Sequence, residues 1–478
     1  MNDRSYGGGQ YSRLSPEQCQ KLHNASLEIL SRTGAELHDQ EAIDLLKKAG
    51  ATVTDGNRVR VPAGLVEKAF TTVPKRVTLY DRNGQSPLYL EEGNCYYGTG
   101  SDCLHIVDHR TGERRSPVLQ DIVEGMTVCD ALSHVDFVMS MFLPMDVDPM
   151  SSDRYQMEAM LNHTTKPIVY VSNEFSGCVD DVEMAEIVAG GAEALKLRPF
   201  AACYINVTSG LVHNEEALQK LLFLADKGLP ALYIPDVDCG ITGPVTPAAG
   251  MALANAGVLL GLVLSQLKCE GAPFIIPGWG GGGLDMRTMV SPYCPPDSRG
   301  LAHALAQHYK LPQFGIGGCS DSKLVDQQAA AEAALTLMSE TLGGANLIHD
   351  LGYLESGLSG SLAQLVICDE MVGWIEHMVA PLEISDETLA LDLIDELGPN
   401  GDYMSTDHTL KHFRERWYPT VFERGNYDQW QAQGAKTLEQ RAAERVEEIL
   451  AEHKPEPLPE DVAQAVHAVV ERAEAQFA

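Results

Sequence analysis

The segment Phe200–Thr208 reads FAACYINVT and carries the features from which the fold can be argued. A short run this apolar is typical of a strand buried on both faces in a parallel sheet. Alternation puts Tyr204, Asn206 and Thr208 on one face and the apolar residues between them on the other. Because the apolar face must meet helices, we expect the polar face to point into the interior or mouth of the sheet.

Similar apolar segments recur along the chain, and most of them end in Gly, Ser, Asn, Asp or His. The eight candidate strands are Cys95–Gly100, Asp136–Leu143, Pro167–Asn173, Phe200–Thr208, Ala231–Asp236, Pro273–Gly278, Gln313–Gly318 and Ala345–Asp350. Their spacing leaves room for one crossover helix in each gap, as parallel pairing requires. An open doubly wound sheet remains an alternative, but eight consecutive units favour an α/β fold closed as a TIM (β/α)8 barrel.

Helical patterns fill the gaps between these strands. They predict helices at Pro117–Leu132, Asp153–Thr164, Asp180–Leu195, Glu215–Lys227, Ala248–Lys268, Ser298–Tyr309, Val325–Leu342 and Ser361–Val379.

The 478 residues exceed the roughly 250 of a minimal barrel, so additions are expected at the ends. Residues 1–93 predict a module of helices and one hairpin, with Asp55-Gly56 as its turn signal. Residues 94–380 are expected to form the barrel. Residues 381–478 predict a helical extension, with helices at Glu383–Leu397, Lys436–His453 and Pro459–Phe477.

Charge and cysteine content limit the partners and the compartment. The net charge of −32 leaves no basic excess for nucleic acid, although it is compatible with a cationic substrate. Eleven cysteines without a C-x-x-C pair fit a reducing cytoplasm. The N-terminus, MNDRSYGGGQ, lacks the order of a signal peptide.

One uncharged stretch, residues 239–267, imitates a membrane span. Its prolines, Asn255 and many small residues favour a helix buried beneath other helices or another subunit instead. Gly250, Ala254, Gly257 and Gly261 permit close packing, which favours a homo-oligomer.

Two motif matches are weak. Residues 278–283 read GWGGGG and contain GxGxxG, but the prolines that follow do not open a helix, so a flexible loop over the mouth is the better interpretation. His105 and His109 lie near Asp102 and Asp108, yet their surroundings predict a strand entering a turn. We expect no metal site.

Aromatic side chains lie at or near several strand ends. Tyr204 and Tyr233 are expected to point inward, and Tyr97, Phe142, Trp279 and His349 lie where their strands end. The alternative for any one of them is barrel filling. Several aromatic faces at one mouth attract a quaternary ammonium by about 0.5–2 kcal/mol each once water is excluded.

Several short runs resemble the trimethylamine methyltransferase family. They are 314–323 (FGIGGCSDSK), 326–332 (DQQAAAE), 344–349 (GANLIH), 98–102 (GTGSD), 427–430 (YDQW) and 434–436 (GAK). The N-terminal helix from Leu14 to Gly34 also matches, so the resemblance covers nearly the whole chain.

The resemblance implies a TIM-barrel enzyme that moves a methyl group from an amine to Co(I) of a corrinoid carried by a separate protein. The trimethylamine branch carries pyrrolysine in its barrel, whereas this chain contains only the ordinary twenty residues. The branch without pyrrolysine includes enzymes for quaternary amines. Glycine betaine is therefore the first candidate substrate, with proline betaine or carnitine as alternatives.

The resemblance and the strand ends together give a set of candidate residues. For the quaternary amine they are Tyr97, Phe142, Tyr204, Asn206, Tyr233, Trp279 and His349; for the corrinoid they are Asp102, Gly317, Gly318, Ser320 and Asp321. His349, Asn206 and backbone amides near Gly317 are candidates for the carboxylate of a betaine. No general acid is required, because the leaving group is a neutral tertiary amine.

Two other classes of function remain open on the sequence. An aromatic cage alone suits a non-catalytic betaine-binding protein, and the same barrel also supports hydrolases and lyases.

Overall fold

A computed structural model describes residues 11–278 and 282–477, and its centre is a barrel of parallel strands. The strands of the main sheet are Tyr96–Tyr97, Ile168–Val171, Ala201–Val207, Ala231–Pro235, Phe274–Pro277, Gln313–Ile316 and Leu347–His349. The two edges of this sheet meet through Phe137 and Val138, which bridge to Gly98 and Ile168. The predicted TIM-barrel fold is confirmed.

The second predicted strand is the least regular part of the barrel. Of residues 136–143, only Phe137, Val138 and Phe142 form isolated β-bridges, to Gly98, Ile168 and Cys103 respectively. Met141 has a φ of 62°, which no extended strand contains, so the chain turns there. The prediction of a continuous strand is wrong, although the segment still closes the barrel.

Helices follow the strands as a parallel barrel requires. They are Leu119–Ala131, Ser152–His163, Phe175–Ala189, Ala192–Leu197, Glu215–Lys227, Pro247–Lys268, Leu301–Tyr309, Gln327–Gly343 and Leu362–Val379. The predicted single helix over 180–195 is wrong. Gly190 and Gly191 have φ of 84° and 128°, and these left-handed values end one helix before the next begins.

The N-terminal residues form a small sheet and close the N-terminal end of the barrel. The elements are the helices Pro16–Glu28, Gln40–Lys48 and Ala63–Thr72, the π turn Ile29–Thr33, and the strands Ala35–Leu37, Thr52–Thr54, Arg58–Arg60, Val77–Tyr80 and Pro87–Leu90. Sequence reasoning missed the hairpin of the last two strands. Its Leu79 and Leu90 pack with Leu232 and Leu347 from the barrel interior, so the N-terminal end of the barrel is closed.

Helix Pro247–Lys268 is the one helix among the described residues that is long and apolar enough to cross a membrane, and 83% of its apolar window is buried. It packs against helices of the same chain, including Pro16–Glu28 and Ala63–Thr72. A Cβ on Gly261 would overlap the ring of Tyr233, and one on Gly257 would lie 2.8 Å from Pro235. The small residues therefore serve packing within the chain, which removes the sequence argument that linked them to a homo-oligomer.

The C-terminal residues wrap around the outside of the barrel. Their helices are Asp386–Leu389, Leu391–Leu397, Asp407–His412, Tyr427–Ala432, Leu438–Glu452 and Glu460–Phe477. Leu438–Glu452 packs on the barrel helix Leu362–Val379. The predicted helix over 383–397 is broken at Ala390, which has a φ of 48°. The division into three regions at residues 93 and 380 stays a prediction.

Candidate active site

A cavity of about 210 Å³ lies at the C-terminal ends of the barrel strands. Strand ends supply one part of its wall and the loop 291–300 supplies the other. The residues that shape its chemistry are Tyr204, Asp236, Tyr293, Arg299, Glu340 and His349. This is the end at which TIM-barrel enzymes hold their active sites.

Two tyrosine side chains line the cavity. Tyr204 points inward from strand Ala201–Val207, and its ring meets Phe314 edge to face with centroids 5.8 Å apart. Burial, with Asp236, Asp350 and Asp102 nearby, raises the pKa of Tyr204, so its hydroxyl stays protonated. Tyr293 comes from the loop, where its backbone N–H donates to Asp321 Oδ1 at 2.8 Å. A cation in the cavity therefore meets two aromatic side chains.

His349 lies at the end of the last barrel strand with a defined tautomer. Its Nδ1–H donates to the carbonyl oxygen of Gly315 at 2.6 Å, and its ring stacks on Phe314 with centroids 4.0 Å apart. Burial lowers the pKa of His349 to about 3. The imidazole is therefore neutral, and Nε2 carries a lone pair and no proton. In this state Nε2 cannot donate to the carboxylate of a betaine.

Asp350 is a buried carboxyl beside His349. Its Oδ1 lies 3.4 Å from His349 Nε2, and burial raises the pKa of Asp350 to about 8. Between pH 3 and pH 8 the proton thus stays on Asp350 and both groups are neutral. The residue has a φ of 80°, a strained value for aspartate, which is found where surrounding structure holds a side chain in place.

Arg299 fixes the loop to the barrel and brings a positive charge to the cavity. Its guanidinium donates to the carbonyl oxygens of Ile316 and Tyr293, and Nη1 lies 3.3 Å from Glu340 Oε1. The remaining donor, Nε–H, is buried and has no hydrogen-bond partner among the described residues. A donor that is buried without a partner costs about 1–3 kcal/mol.

The cavity as a whole favours a cation. Arg299 is the one cationic side chain among its described lining residues, and Glu340 pairs with it. Asp236 and Asp238 add two further acidic side chains at the cavity.

The structure brings together only part of the predicted substrate-binding set. Tyr204 and His349 line the cavity, and Asn206 is exposed on the same face of its strand as Tyr204. Trp279 lies outside the described residues.

The predicted inward orientation of Tyr233 is wrong because of the register between neighbouring strands. Tyr204 pairs with Leu232, so Leu232 points inward and the residue after it points outward. Tyr233 stacks on His213 and its hydroxyl lies 2.7 Å from His213 Nδ1, on the side where helix Pro247–Lys268 packs.

Tyr97 and Phe142 also lie outside the barrel interior. The hydroxyl of Tyr97 lies 2.8 Å from Thr341 Oγ1 on helix Gln327–Gly343. Phe142 packs where a Cβ on Gly360 would lie 2.8 Å from its ring. Neither side chain lines the cavity, since both fill the layer between the strands and the helices.

Most of the predicted corrinoid-binding residues hold loops in place. The N–H of Gly318 donates to Thr336 Oγ1, and Gly317 adjoins Leu337 of the same helix. Ser320 Oγ donates to Glu332, and Asp321 accepts from Ser356 Oγ as well as from the loop 291–300.

Asp102 differs from the other four, since its carboxylate lies near enough to Tyr204 to influence its pKa. Its Oδ1 accepts from Gln156 Nε2 at 3.0 Å.

Cys294, Asp321 and Glu332 offer potential metal-ligand atoms within 4.8 Å of one another. Their carboxylates already accept hydrogen bonds from Tyr293, Ser320, Ser356 and backbone amides. These hydrogen bonds explain why the three side chains lie close together, since they join two loops.

Sequence reasoning missed Tyr293, Arg299 and Asp350. Tyr293 lies in the proline-rich stretch after residue 290, which has no helical or strand period to predict where its side chains point. Arg299 falls in the predicted helix Ser298–Tyr309, but the observed helix begins only at Leu301, so Arg299 belongs to the loop before it. Asp350 ends a predicted strand, but its protonation state depends on burial that only the folded barrel reveals.

Comparison with known proteins gives relatives along the whole chain. The family model of trimethylamine methyltransferase (MTTB) matches residues 6–478. A trimethylamine methyltransferase of Desulfitobacterium hafniense (strain DSM 10664 / DCB-2) is 33% identical over 469 residues, covering 97% of this chain and 94% of the relative. A glycine betaine methyltransferase of Desulfitobacterium hafniense (strain Y51) is 30% identical over 461 residues, covering 95% of each.

Among solved structures, the monomethylamine methyltransferase of Methanosarcina barkeri aligns with a TM-score of 0.50 at 11% identity. The alignment covers 98% of this chain and 89% of that one, which supports the shared fold. The chain belongs to the trimethylamine methyltransferase (MTTB) family.

Proposed function

We propose that this methyltransferase takes a methyl group from a quaternary amine that also carries a carboxylate, with glycine betaine as the first candidate. The acceptor is Co(I) of a corrinoid held by a separate protein. The observation that carries the proposal is that Arg299 is the one cationic side chain among the described lining residues of a cavity that otherwise suits a cation. A betaine has both charged groups that this cavity suits: its ammonium can contact Tyr204 and Tyr293, and its carboxylate can pair with Arg299.

The reaction requires no general acid from the protein, because the leaving group is a neutral tertiary amine. One N–CH3 bond breaks, its electron pair stays on nitrogen, and a neutral tertiary amine leaves while the methyl group passes to cobalt. The corrinoid supplies the nucleophile. The residues of this chain orient one methyl group and keep water away, and the neutral state of His349 and Asp350 avoids adding charge to the cavity.

The rim of the barrel mouth fits a docked corrinoid protein. Exposed apolar side chains occur on loops after six different strand positions, at Leu104, Met145, Met150, Ile241, Val245, Met286, Met289, Val290, Leu324 and Leu358. A ring of this kind is typical of a protein–protein interaction site.

Ligand binding by calorimetry tests the substrate class. Glycine betaine should bind more tightly than tetramethylammonium or trimethylamine, which lack the carboxylate, and more tightly than 3,3-dimethylbutyrate, which lacks the charge on the ammonium position. Loss of either the carboxylate or the positive charge of the ligand should weaken binding by about tenfold. Equal affinity for tetramethylammonium and glycine betaine would exclude the carboxylate subsite.

Tyr204→Ala should weaken binding of glycine betaine by about 1–2 kcal/mol, because one aromatic face is lost. Tyr204→Phe keeps that face and should retain most of the affinity. Calorimetry on both variants separates the contribution of the ring from that of the hydroxyl. If Phe weakens binding as much as Ala does, the hydroxyl and not the ring contacts the ligand.

Met289→Asp should raise KM for the corrinoid protein by about tenfold, since it puts a charge into the apolar rim, and should leave glycine betaine affinity unchanged. Met289 is 69% exposed, so the change should not disturb folding. Leu197→Asp, at a similarly exposed leucine on helix Ala192–Leu197, is the matched control. An equal effect of both variants would place the docking surface elsewhere.

A further inference from the structure

One ion pair contributes most of the buried charge at the cavity. Arg299 and Glu340 both line it, and their side chains are only 17% and 3% exposed. Arg299 Nη1 lies 3.3 Å from Glu340 Oε1. Because little water surrounds these two groups, their charges act on a ligand with little screening.

The other ionisable groups of the cavity wall add little buried charge at neutral pH. Burial raises the pKa of both tyrosine hydroxyls and lowers the pKa of His349 to about 3, so all three groups are neutral. Asp236 is exposed and Asp238 is half-buried, so water and salt screen their charges. Glu340 is therefore the one fully buried carboxylate among the described lining residues.

Glu340 occupies space that a glycine leaves open behind the barrel. Its helix, Gln327–Gly343, packs on strand Gln313–Ile316. Phe314 belongs to the interior cluster of the barrel, so the next residue, Gly315, faces the helix. A Cβ on Gly315 would overlap Glu340 Oε2. The φ of Gly315 is not positive, so this glycine provides room for the carboxylate and not an unusual backbone conformation.

A histidine contacts the same carboxylate from a third element. His303, on helix Leu301–Tyr309, has Nε2 3.2 Å from Glu340 Oε1. Its Nδ1 contacts the side-chain amide of Gln313, which begins the barrel strand. The carboxylate of Glu340 is thus held between a strand, a helix and the loop that carries Arg299, and its distance from the cavity is fixed.

The pair makes an arginine compatible with a cationic ligand. Arg299 alone would leave a positive charge at the cavity, which repels an ammonium and attracts a carboxylate. With Glu340 beside it, the pair has no net charge. The aromatic rings of Tyr204 and Tyr293 can then attract a cation close to the guanidinium.

We propose that Glu340 is a specificity-determining residue, which offsets the charge of Arg299 and so allows the cavity to accept a quaternary ammonium. Without this carboxylate, the same cavity would prefer anions. The inference rests on the proposed function, because it takes the cavity as the site of a cationic substrate.

Glu340→Gln tests the role of the charge, since it keeps the size of the side chain. Calorimetry on the full-length protein compares tetramethylammonium, a cation, with 3,3-dimethylbutyrate, an anion that has carbon in place of nitrogen. The variant should bind tetramethylammonium about tenfold more weakly and 3,3-dimethylbutyrate about tenfold more tightly. Damage to packing would weaken both ligands, so opposite changes identify an effect of charge.

A double variant and a matched control complete the experiment. Arg299→Gln together with Glu340→Gln leaves no unpaired buried charge, so it should fold even where the single variant does not. It should bind tetramethylammonium within about threefold of the wild type, because the two lost charges oppose each other. Glu186→Gln removes a carboxylate that pairs with Lys227 away from the cavity, and should leave both affinities unchanged.

The outcomes separate this inference from the proposed function. Equal weakening of both ligands in Glu340→Gln, or no change in either, would overturn the inference and leave the proposed function in place. A double variant that binds tetramethylammonium as weakly as Glu340→Gln would do the same. A wild type that binds neither ligand would overturn the proposed function and the inference with it.

Discussion

Asp350→Asn is expected to remove a large pH dependence of stability. The carboxyl of Asp350 has a pKa raised by burial from 3.8 to about 8. Between these values the folded protein holds a proton that the unfolded chain has released, so the free energy of unfolding falls as pH rises and the loss is complete above pH 8. A shift of this size corresponds to a loss on the order of 5 kcal/mol, and asparagine, which is neutral at every pH, avoids it.

Unfolding midpoints of the wild type and the variant, measured from about pH 5 to pH 9, give the comparison. The two proteins should differ least at the acid end, and the variant should be the more stable one at the alkaline end. Asp44→Asn, at an exposed aspartate on helix Gln40–Lys48, is the matched control. Parallel curves for wild type and Asp350→Asn would mean that the buried carboxyl is ionised in the folded protein.

Gly100→Ala is expected to lower kcat/KM by at least about 100-fold, because displacing groups at an active site by an ångström has effects of this size. A Cβ at Gly100 would overlap Asp350 Oδ1 and would lie 2.6 Å from the Tyr353 hydroxyl. Asp350 must then leave its position beside His349. Overpacking of this kind also costs about 1–3 kcal/mol of stability, which thermal unfolding measures separately.

Gly64→Ala is the control for the added methyl group, since a Cβ there meets nothing within 4 Å. It should leave both kcat/KM and stability close to the wild type. If Gly100→Ala keeps full activity, the position of Asp350 has no bearing on catalysis. A protein that is stable but inactive would locate the defect at the site.

The barrel could be predicted from the sequence because its strands are buried on both faces. Segments such as Ala201–Val207 are therefore short apolar runs, and the helices between them carry their own period. The hairpin of residues 77–90 was not predicted, since its role in closing the N-terminal end of the barrel depends on which residues face the barrel interior.

The direction of a side chain could be predicted at some positions and not at others. Alternation along one strand correctly predicts that Tyr204 points into the barrel. The direction of Tyr233 depends on the register between two strands, and the sequence of one strand does not contain that register. The loop around Tyr293 has no period, and the predicted helix Ser298–Tyr309 begins three residues too early and so includes Arg299; the fold is needed to place both residues at the cavity.

Methyl transfer itself is the most direct test of the proposed function. The protein is mixed with glycine betaine and chemically reduced cobalamin, and the Co(I) absorption is followed together with the amine product. We expect loss of the Co(I) band, with methylcobalamin and dimethylglycine formed in equal amounts, and a slower reaction for Tyr204→Ala. Binding of glycine betaine without any loss of the Co(I) band, with the corrinoid protein also present, would contradict methyl transfer and identify a betaine-binding protein instead.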